Sequence, residues 1–448
     1  MKKFLYDNGS VVVLVLLCLY YAIATVDTIY PVGPAAGRQL ARQLVAAYGD
    51  STEVMVVVGE SASEREFAEA VRSELESSGA AVHVLLADKP ATVRQGLVEF
   101  ASGRQKMDAI ATHHAGMQWG PLQADRLQAL ASEVPALRDV KVHEPRSYRW
   151  PTFFTQANLI NVINQNSAIF IIAIGMTMVM ICAEIDLSVG SLVALAAVVV
   201  AIVAEKVSAG QPVSTPAMLL CCAAGVLMCA LWGMGSGIVS TYFRVPAFIV
   251  TLAIMSMARG LAFTLAGSPE GISIDSAFLT ELGTGRTMGI PNPILVMIVL
   301  YSASHIFMTR TRFGRYIYAV GGNPEAARLS GVPVKGILVM VYAAGGALTG
   351  LAGVIETARF ESGDPKLGEG FELQVIAAVV VGGTSLFGGE GRIVGTLVGA
   401  LIIAVIDNGL NMAGVDSYAQ MIVFGLLILA AALLEQLKKY AWKRMSAK

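Results

Sequence analysis

The chain has 448 residues, of which 55% are hydrophobic and only 15% are charged. This composition excludes a soluble globular protein and is typical of a polytopic membrane protein. The formal net charge is -1, so no basic surface points to nucleic acid as a partner. The five cysteines lie in apolar stretches without metal-ligand spacing, which predicts packing residues rather than disulfides or a metal site.

The N-terminal segment combines positive charge with an apolar run. Lys2 and Lys3 precede Val11 to Ala24, a pattern typical of either a first spanning helix or a signal peptide, and the tripeptide 22–24 is similar to a cleavage site. We expect a retained anchor over residues 1–30, because the apolar character continues to about Ile29. In either case the segment that follows is exported.

Residues 31–150 have the composition of a soluble domain. Predicted strands and helices alternate there: strands Val54–Val58, Val82–Leu86, Asp108–Thr112 and Val140–Val142, and helices Glu64–Ser78, Thr92–Ala101 and Leu122–Ser132. This alternation predicts a small parallel α/β sheet. The pattern resembles one lobe of a periplasmic sugar-binding protein.

Two histidines close the third predicted strand of this domain. His113 and His114 follow the strand at the edge where α/β sheets place ligand contacts. Neighbouring residues of a strand point to opposite faces, so the pair is not expected to share a metal ion. A role in ligand binding or docking and an ordinary place at a strand end both remain open.

The rest of the chain, residues 151–437, is dominated by apolar runs. They lie near 163–182, 187–204, 217–242, 247–266, 294–308, 336–357, 373–386, 393–412 and 418–437. With the first helix they give about ten spans, several of them near or below the roughly 20 residues of a full crossing. The predicted fold is an all-α polytopic membrane protein with an inserted small α/β extracytoplasmic domain. With the N-terminus inside, the basic loop 310–335 and the tail 438–448 lie inside and residues 31–150 outside, which agrees with the positive-inside rule.

Two polar interruptions divide neighbouring apolar runs. The first spans 184–191 and the second, which is rich in glycine, spans 382–392. In the first, Asp186 and Ser188 either cap the next helix or lie on a translocation pathway. Arg259 lies in or near another span, where it snorkels, pairs with a carboxylate or faces the pathway.

Small residues recur at helical spacing in the apolar runs, which predicts close helix packing within the subunit or between two copies. The glycines concerned are Gly233, Gly235, Gly237, Gly346, Gly350, Gly391, Gly395 and Gly399.

A short helix is predicted inside the basic loop. Asn323 is a suitable N-cap and Pro324 suits the first helical position; Glu325 lies in the first turn, and Gly331 stands where a left-handed residue ends a helix. These signals give a helix of about two turns, roughly 10 Å long.

The run YAVGGNPEAARLSGV in this loop resembles the cytoplasmic coupling loop of permease subunits of bacterial ATP-binding-cassette (ABC) importers, in the ribose, xylose and galactoside branch. The interruption at 184–190 resembles that family's G-G-I-D-L-S-V-G motif, with Ala183 and Glu184 in place of two glycines. The Gly-rich run 382–392 and the phrase VPAFIVTLA are also similar. The resemblance implies an ATPase-facing surface formed by Gly321, Gly322, Asn323, Glu325, Ala326, Arg328 and Gly331.

The resemblance further implies a monosaccharide permease of the bacterial inner membrane. Its partners would be an ABC ATPase, a periplasmic substrate-binding protein, a second permease copy in a homo- or heterodimer, and membrane lipid. The chain has no P-loop motif, so ATP is expected to be used by the partner subunit, with no cofactor and no catalytic residues here. The alternatives are a membrane receptor with a ligand-binding exported lobe and an ion-coupled carrier.

Overall fold

The computed structural model describes residues 9–102, 107–208 and 211–446. Lys2 and Lys3 of the predicted N-terminal flank lie outside the described residues, as do the side chains of the basic tail after residue 437. The chain forms two compact units. The α/β unit is Val26–Thr152, and the helical unit is built from the chain before and after it.

The first helix, α1, is described over Gly9–Ala24 and ends before the end expected for the anchor over residues 1–30. The chain then leaves the helix and forms strand β1 (Val26–Ile29). Its residues are mostly β-branched and include a charged Asp27, so they favour an extended strand over a further helical turn.

The α/β unit continues with alternating helices and strands. In chain order these are α2 (Pro34–Tyr48), β2 (Glu53–Val58), α3 (Ala62–Ser77), β3 (Ala81–Leu86), α4 (Pro90–Ser102), β4 (Ala109–Ala111), α5 (His114–Met117), α6 (Ala124–Glu133), β5 (Lys141–His143) and β6 (Tyr148–Pro151). Strands β1 and β6 form an antiparallel ribbon. Neither the ribbon nor helix α2 is among the elements predicted from the sequence.

The four central strands form a parallel sheet in the order β3-β2-β4-β5. Val56 lies opposite Val84 on one side and Ala111 on the other. Alternate residues of β2 face opposite layers: Val56 packs in the core under α2 and α3, and Val57 in the core under α4 and α6. Burial on both faces explains why the strand is a continuous apolar run.

The helical unit contains the remaining elements. They are α7 (Gln156–Gln165), α8 (Ser167–Ile181), α9 (Val189–Ser208), α10 (Thr215–Phe243), α11 (Ala247–Ala266), β7 (Ile272–Ser273), α12 (Ala277–Thr284), β8 (Arg286–Thr287), β9 (Ile290–Pro291), α13 (Asn292–Arg310), α14 (Arg312–Gly322), α15 (Pro324–Leu329), α16 (Val334–Phe360), β10 (Ser362–Gly363), α17 (Phe371–Val381), α18 (Ile393–Met412) and α19 (Ser417–Ser446).

Among the described residues, six helices are long and apolar enough to cross a membrane, and a seventh span results if the pair α7 and α8, bent by 47°, counts as one. The six are α9, α10, α11, α13, α16 and α18. Helices α1, α17 and the apolar part of α19 are shorter. The helical unit is therefore that of an all-α polytopic membrane protein, as predicted. The predicted number of about ten crossings is larger than the number of helices long enough to cross.

Glycines let α10 and α16 pack with their backbones in contact. A side chain at Gly346 would meet the carbonyl of Cys229, and one at Gly237 would lie 2.8 Å from the Cα atom of Val339. Gly235 has no such neighbour within the chain, because nothing lies within 4 Å of the side chain it lacks, and its packing against a second copy stays a prediction. Close packing within the chain therefore holds for one face of α10 and not for the other.

This difference gives a matched test on one helix. Gly237→Ala should lower the free energy of unfolding by about 2 kcal/mol, because α16 must shift to admit the methyl group. Gly235→Ala should leave stability unchanged or raise it by up to about 1 kcal/mol through helix propensity. Thermal unfolding of the purified variants in detergent checks both, and equal stability of the two would contradict the packing described.

Candidate functional site

The short helix α15 is defined at both ends by its own caps. The Asn323 Oδ1 atom accepts hydrogen bonds from the backbone N–H groups of Glu325 at 3.1 Å and Ala326 at 2.9 Å. At the other end Gly331 is left-handed, with φ 83°, and Val332 N–H donates to the carbonyl of Ala327. This is a Schellman ending. The capped helix predicted from the sequence is confirmed, and its Ala327 packs into the hydrophobic core of the helical unit.

The outer surface of α15 carries a charge pair beside an apolar side chain. Arg328 Nε donates to Glu325 Oε2 at 3.2 Å, and both side chains are exposed. This hydrogen bond and the charge of Arg328 hold the pKa of Glu325 below its ordinary value. Leu329 is 78% exposed. Sequence reasoning missed Leu329, whose signal is an apolar residue in a helix too short to bury it.

Gly321 does not lie on this outer surface. Six of the seven residues assigned to the ATPase-facing surface are exposed, whereas Gly321 is buried. Its Cα lies against the carbonyl of Ile181, the last residue of α8, and a side chain there would also meet Gly389. The close approach of three backbones, rather than an exposed contact, explains the glycine.

Gly321 belongs to a set of small residues that we call the glycine junction: Ala183, Gly321, Gly388 and Gly389. Gly389 N–H donates to the carbonyl of Ile181 at 2.8 Å, and a side chain at Gly388 would meet Ala183 and the carbonyl of Gly321. The junction therefore joins α14 to both polar interruptions.

Tyr318, on α14, adds a second link to the second interruption, since its hydroxyl donates to the carbonyl of Gly391 at 2.7 Å.

The first interruption is folded by its own side chains. Asp186 Oδ1 accepts from the Ser188 N–H at 2.9 Å and from the Ser188 hydroxyl at 2.6 Å. Both residues are buried, at 2% and 0% exposure, and the Ser188 carbonyl begins the hydrogen-bond ladder of α9. In this structure the two side chains engage each other at the start of α9 and present no exposed surface.

Other helices hold the same interruption from outside. The buried Tyr342 of α16 donates its hydroxyl to Glu184 Oε2 at 3.3 Å. Thr251 of α11 donates to the carbonyl of Ile185 at 3.3 Å. Tyr342 was missed because it lies inside an apolar run, where a tyrosine is typical of core packing. Helix α16 thus connects the segment after α15 with the first interruption.

The two interruptions begin with the same helix ending. At the end of α8, Glu184 N–H donates to Val179 O and Ala183 N–H to Met180 O; at the end of α17, Thr384 N–H donates to Val379 O and Gly383 N–H to Val380 O. The left-handed position is Gly383 in one, with φ 92°, and Ala183 in the other, with φ 63°. The two halves of the helical unit therefore share a local design, and Ala183 bears strain that glycine avoids.

Arg259 binds backbone carbonyls in the loop between α16 and α17, and its predicted place on the pathway stays a prediction. Its Nη1 atom donates to the carbonyls of Pro365 at 2.7 Å and Leu367 at 2.9 Å. It therefore holds the loop between α16 and α17, whose backbone groups have no helix to satisfy them.

The far end of α16 supports the break between α7 and α8. Arg359 Nη1 donates to the carbonyl of Gln165, the last residue of α7, at 2.8 Å and pairs with the buried Glu356 at 2.9 Å. One continuous helix of 27 residues thus contacts the first interruption along its length and this break near its end.

In the α/β unit, His113 and His114 engage separate carboxylates. His113 Nδ1 accepts from Gly116 N–H at 3.1 Å, so in the neutral ring the proton is on Nε2, which lies 2.6 Å from Glu64 Oε1. His114 Nδ1 lies 2.9 Å from Glu144 Oε2. Partial burial raises the pKa of Glu64, but hydrogen bonds from Ser61 and the neighbouring His113 outweigh it and leave that pKa below its ordinary value.

Comparison with known proteins identifies the class to which this arrangement belongs. The model of the family described as "Branched-chain amino acid transport system / permease component" matches residues 158–432. That range covers more than half of the chain and begins after the α/β unit. The chain belongs to this permease family.

Individual relatives match the same region. The ribose import permease protein RbsC of Escherichia coli (strain K12) is 46% identical over 293 residues, which cover 64% of this chain and 88% of that protein. RbsC of Bacillus subtilis (strain 168) is 42% identical over 64% of this chain and 87% of its own length. The D-allose transport system permease protein AlsC of E. coli (strain K12) is 37% identical, covering 64% and 85%. No solved structure matches the chain.

The shared helix ending generates a paired prediction. Gly383→Ala should lower the free energy of unfolding by about 1 kcal/mol from backbone strain alone, because nothing lies within 4 Å of the new methyl group. Ala183→Gly removes the same strain, offset in part by the flexibility of glycine in the unfolded chain, so its effect should be smaller and of opposite sign. Thermal unfolding measures both, and a Gly383→Ala variant as stable as the parent would refute the strained ending.

Proposed function

We propose that this chain is the transmembrane permease subunit of an ABC importer that moves a monosaccharide across the bacterial inner membrane. The names of its relatives, which import ribose or transport D-allose, support a sugar as the substrate. The observation that carries the mechanism is the capped, largely exposed helix α15, which follows the glycine junction with both polar interruptions. Such an arrangement converts a push on one helix into movement of two broken spans.

A separate ATPase subunit supplies the push. It docks on the exposed residues of the capped helix, with Leu329 as the apolar contact and the Glu325–Arg328 pair as the polar one. The exposed residues assigned to this surface are Gly322, Asn323, Glu325, Ala326, Arg328 and Gly331. Gly321 acts beneath the surface and passes the movement to Ile181.

The orientation follows from charge and connectivity. The basic loop 310–335 faces the cytoplasm by the positive-inside rule. We count ten crossings by taking the three shorter apolar helices and the bent pair as one crossing each, and we assign the N-terminus to the inside and residues 31–150 to the outside on that count. Phe153 N–H donates to the Thr25 hydroxyl at 3.1 Å, so the chain leaves and re-enters the helical unit at one place. This supports an insertion that leaves the helical unit undisturbed.

The transport cycle is alternating access. ATP binding and hydrolysis close and open the ATPase pair, α15 moves as one body, and the helices around the interruptions tilt between outward- and inward-open states. Asp186 and Ser188, buried against each other here, lie at the interruption that moves and are exposed to the pathway when it opens. Arg259 fixes the loop between α16 and α17 while these spans tilt. A periplasmic substrate-binding protein delivers the sugar, and a second permease copy completes the pathway.

The ATPase surface is tested by charge reversal on α15. Glu325→Lys replaces the attractive pair with two positive side chains and removes an acidic group from the first turn. Binding of the ATPase to the permease in lipid nanodiscs should weaken about tenfold or more, equivalent to roughly 1.4 kcal/mol. Sugar-stimulated ATP hydrolysis should fall with it.

A second variant tests the helix itself. Gly331→Val places a β-branched residue in the left-handed position and should disrupt the end of the helix, uncoupling hydrolysis from uptake while insertion stays intact. The control is Glu270→Lys, an exposed acidic residue on the loop after α11. Normal sugar uptake by both the Glu325→Lys and the Gly331→Val variants would contradict the assignment of this helix as the coupling element.

A further inference from the structure

One face of the α/β unit carries two helices of opposite charge. Helices α2 and α3 pack side by side over the same side of the sheet, where a side chain at Gly37 of α2 would meet the carbonyl of Phe67 of α3. Helix α2 contains two arginines and no acidic residue. Helix α3 contains five glutamates and two arginines. The face is therefore divided into a basic and an acidic half.

The basic half is a shallow groove of about 700 Å³ along α2. Arg38 and Arg42 lie four residues apart on the exposed side of the helix, and Arg146 lines the groove beside them. Arg42 Nε pairs with Glu74 at 2.8 Å, but its side chain remains 73% exposed. In residues 9–102 and 107–152, no carboxylate lies within ion-pair distance of Arg38 or Arg146. The groove keeps unneutralised positive charge.

The acidic half lies along the exposed side of α3. Phe67 and Val71 face the core, so Glu66 and Glu69 fall on the outer side of the helix, where both are exposed. The arginines of α3 form their close pairs with other carboxylates: Arg72 pairs with Glu76 at 2.8 Å, with Glu69 as a more distant charge, and Arg65 lies 3.8 Å from Glu60. Across the described part of this unit, no basic group comes within 4 Å of the carboxylates of Glu66 or Glu69.

We propose that two copies of this chain pair through this face, with α2 of one copy lying on α3 of the other. A two-fold axis between the two helices brings each basic half onto an acidic half, so the face is complementary to itself. Arg38 and Arg146 of one copy then meet Glu66 and Glu69 of the second copy. Charge identifies the partner as a second copy, because each chain carries the basic half and the acidic half side by side on one face.

The size of the face defines the strength of this contact. The two helices are about 23 Å long and roughly 10 Å apart, which gives on the order of 400 Å² of contact for each copy. This is about half of a standard stable interface. The pairing is therefore weak by itself and effective only when the two units are tethered, since tethering raises their local concentration to the millimolar range. This step rests on the proposed second permease copy.

The test uses two oppositely tagged full-length chains expressed together and isolated in lipid nanodiscs. One carries Arg38→Glu with Arg146→Glu, and the other carries Glu66→Arg with Glu69→Arg. The mixed pair should exceed either same-variant pair about fivefold in sequential affinity purification. Screening at 500 mM KCl should abolish this preference. A single chain carrying all four changes should pair as well as the parent, because the complementarity is restored with the halves exchanged.

The matched control is Arg94→Glu. Arg94 is exposed on α4, on the other side of the sheet, so a chain with this change should pair equally often with itself and with the parent chain. Thermal unfolding of each variant verifies that the chain is folded. Random pairing of the two reversed chains, or an isolated parent chain that is a monomer, would overturn the proposal. The proposal would also be overturned if the reversed chains paired as the parent does but no longer bound a sugar-binding protein. That result would assign the groove to the sugar-binding protein. Co-purification of the ATPase reports on the proposed function independently of these results.

Discussion

The helical unit depends on one constraint, the close approach of three backbone segments at the glycine junction. Gly389 N–H reaches the carbonyl of Ile181 only because Gly321 has no side chain to separate them. Any larger residue at 321 would drive α14 away from the end of α8. Helix α15 begins at Pro324, three residues beyond Gly321, where the main chain approaches both polar interruptions. The main chain at Gly321 therefore approaches segments from both halves of the helical unit.

Helix α16 extends this connection through the unit. It begins shortly after α15, contacts Glu184 through Tyr342, and near its other end satisfies the break after Gln165 through Arg359. The departure from the family motif at Ala183 and Glu184 is accommodated by the same elements. Ala183 adopts the left-handed conformation that its counterpart Gly383 adopts without strain, and the Glu184 carboxylate, which would be costly unpaired in a span, receives the Tyr342 hydroxyl. The ending at Ala183 keeps the same hydrogen bonds as the ending at Gly383, at the cost of backbone strain.

The sequence predicted those features that depend on neighbouring residues. The caps of α15 follow from residue type and spacing around Asn323 and Gly331, and the apolar runs follow from composition. It could not predict contacts between distant segments. Gly321 looked like an exposed loop glycine because its neighbours 181 and 389 are remote in the chain. Tyr342 and Arg259 gave no local signal of their partners. Helix α2 was missed although its residues favour a helix, and its buried Ala36, Leu40 and Leu44 recur at helical spacing, a signal that could have found it.

In the proposed transport cycle, α15 and the two interruptions move as one body. Double electron–electron resonance tests this on spin-labelled chains reconstituted with the ATPase in nanodiscs. One chain carries Ala326→Cys with Phe387→Cys, and the reference chain carries Ala326→Cys with Glu270→Cys. The parent chain is treated with the spin label in the same way to verify that its native cysteines stay unlabelled. When ADP is replaced by a non-hydrolysable ATP analogue, the account predicts an unchanged 326–387 distance and a shifted 326–270 distance. A 326–387 distance that changes while the helix stays bound to the ATPase would contradict a rigid junction.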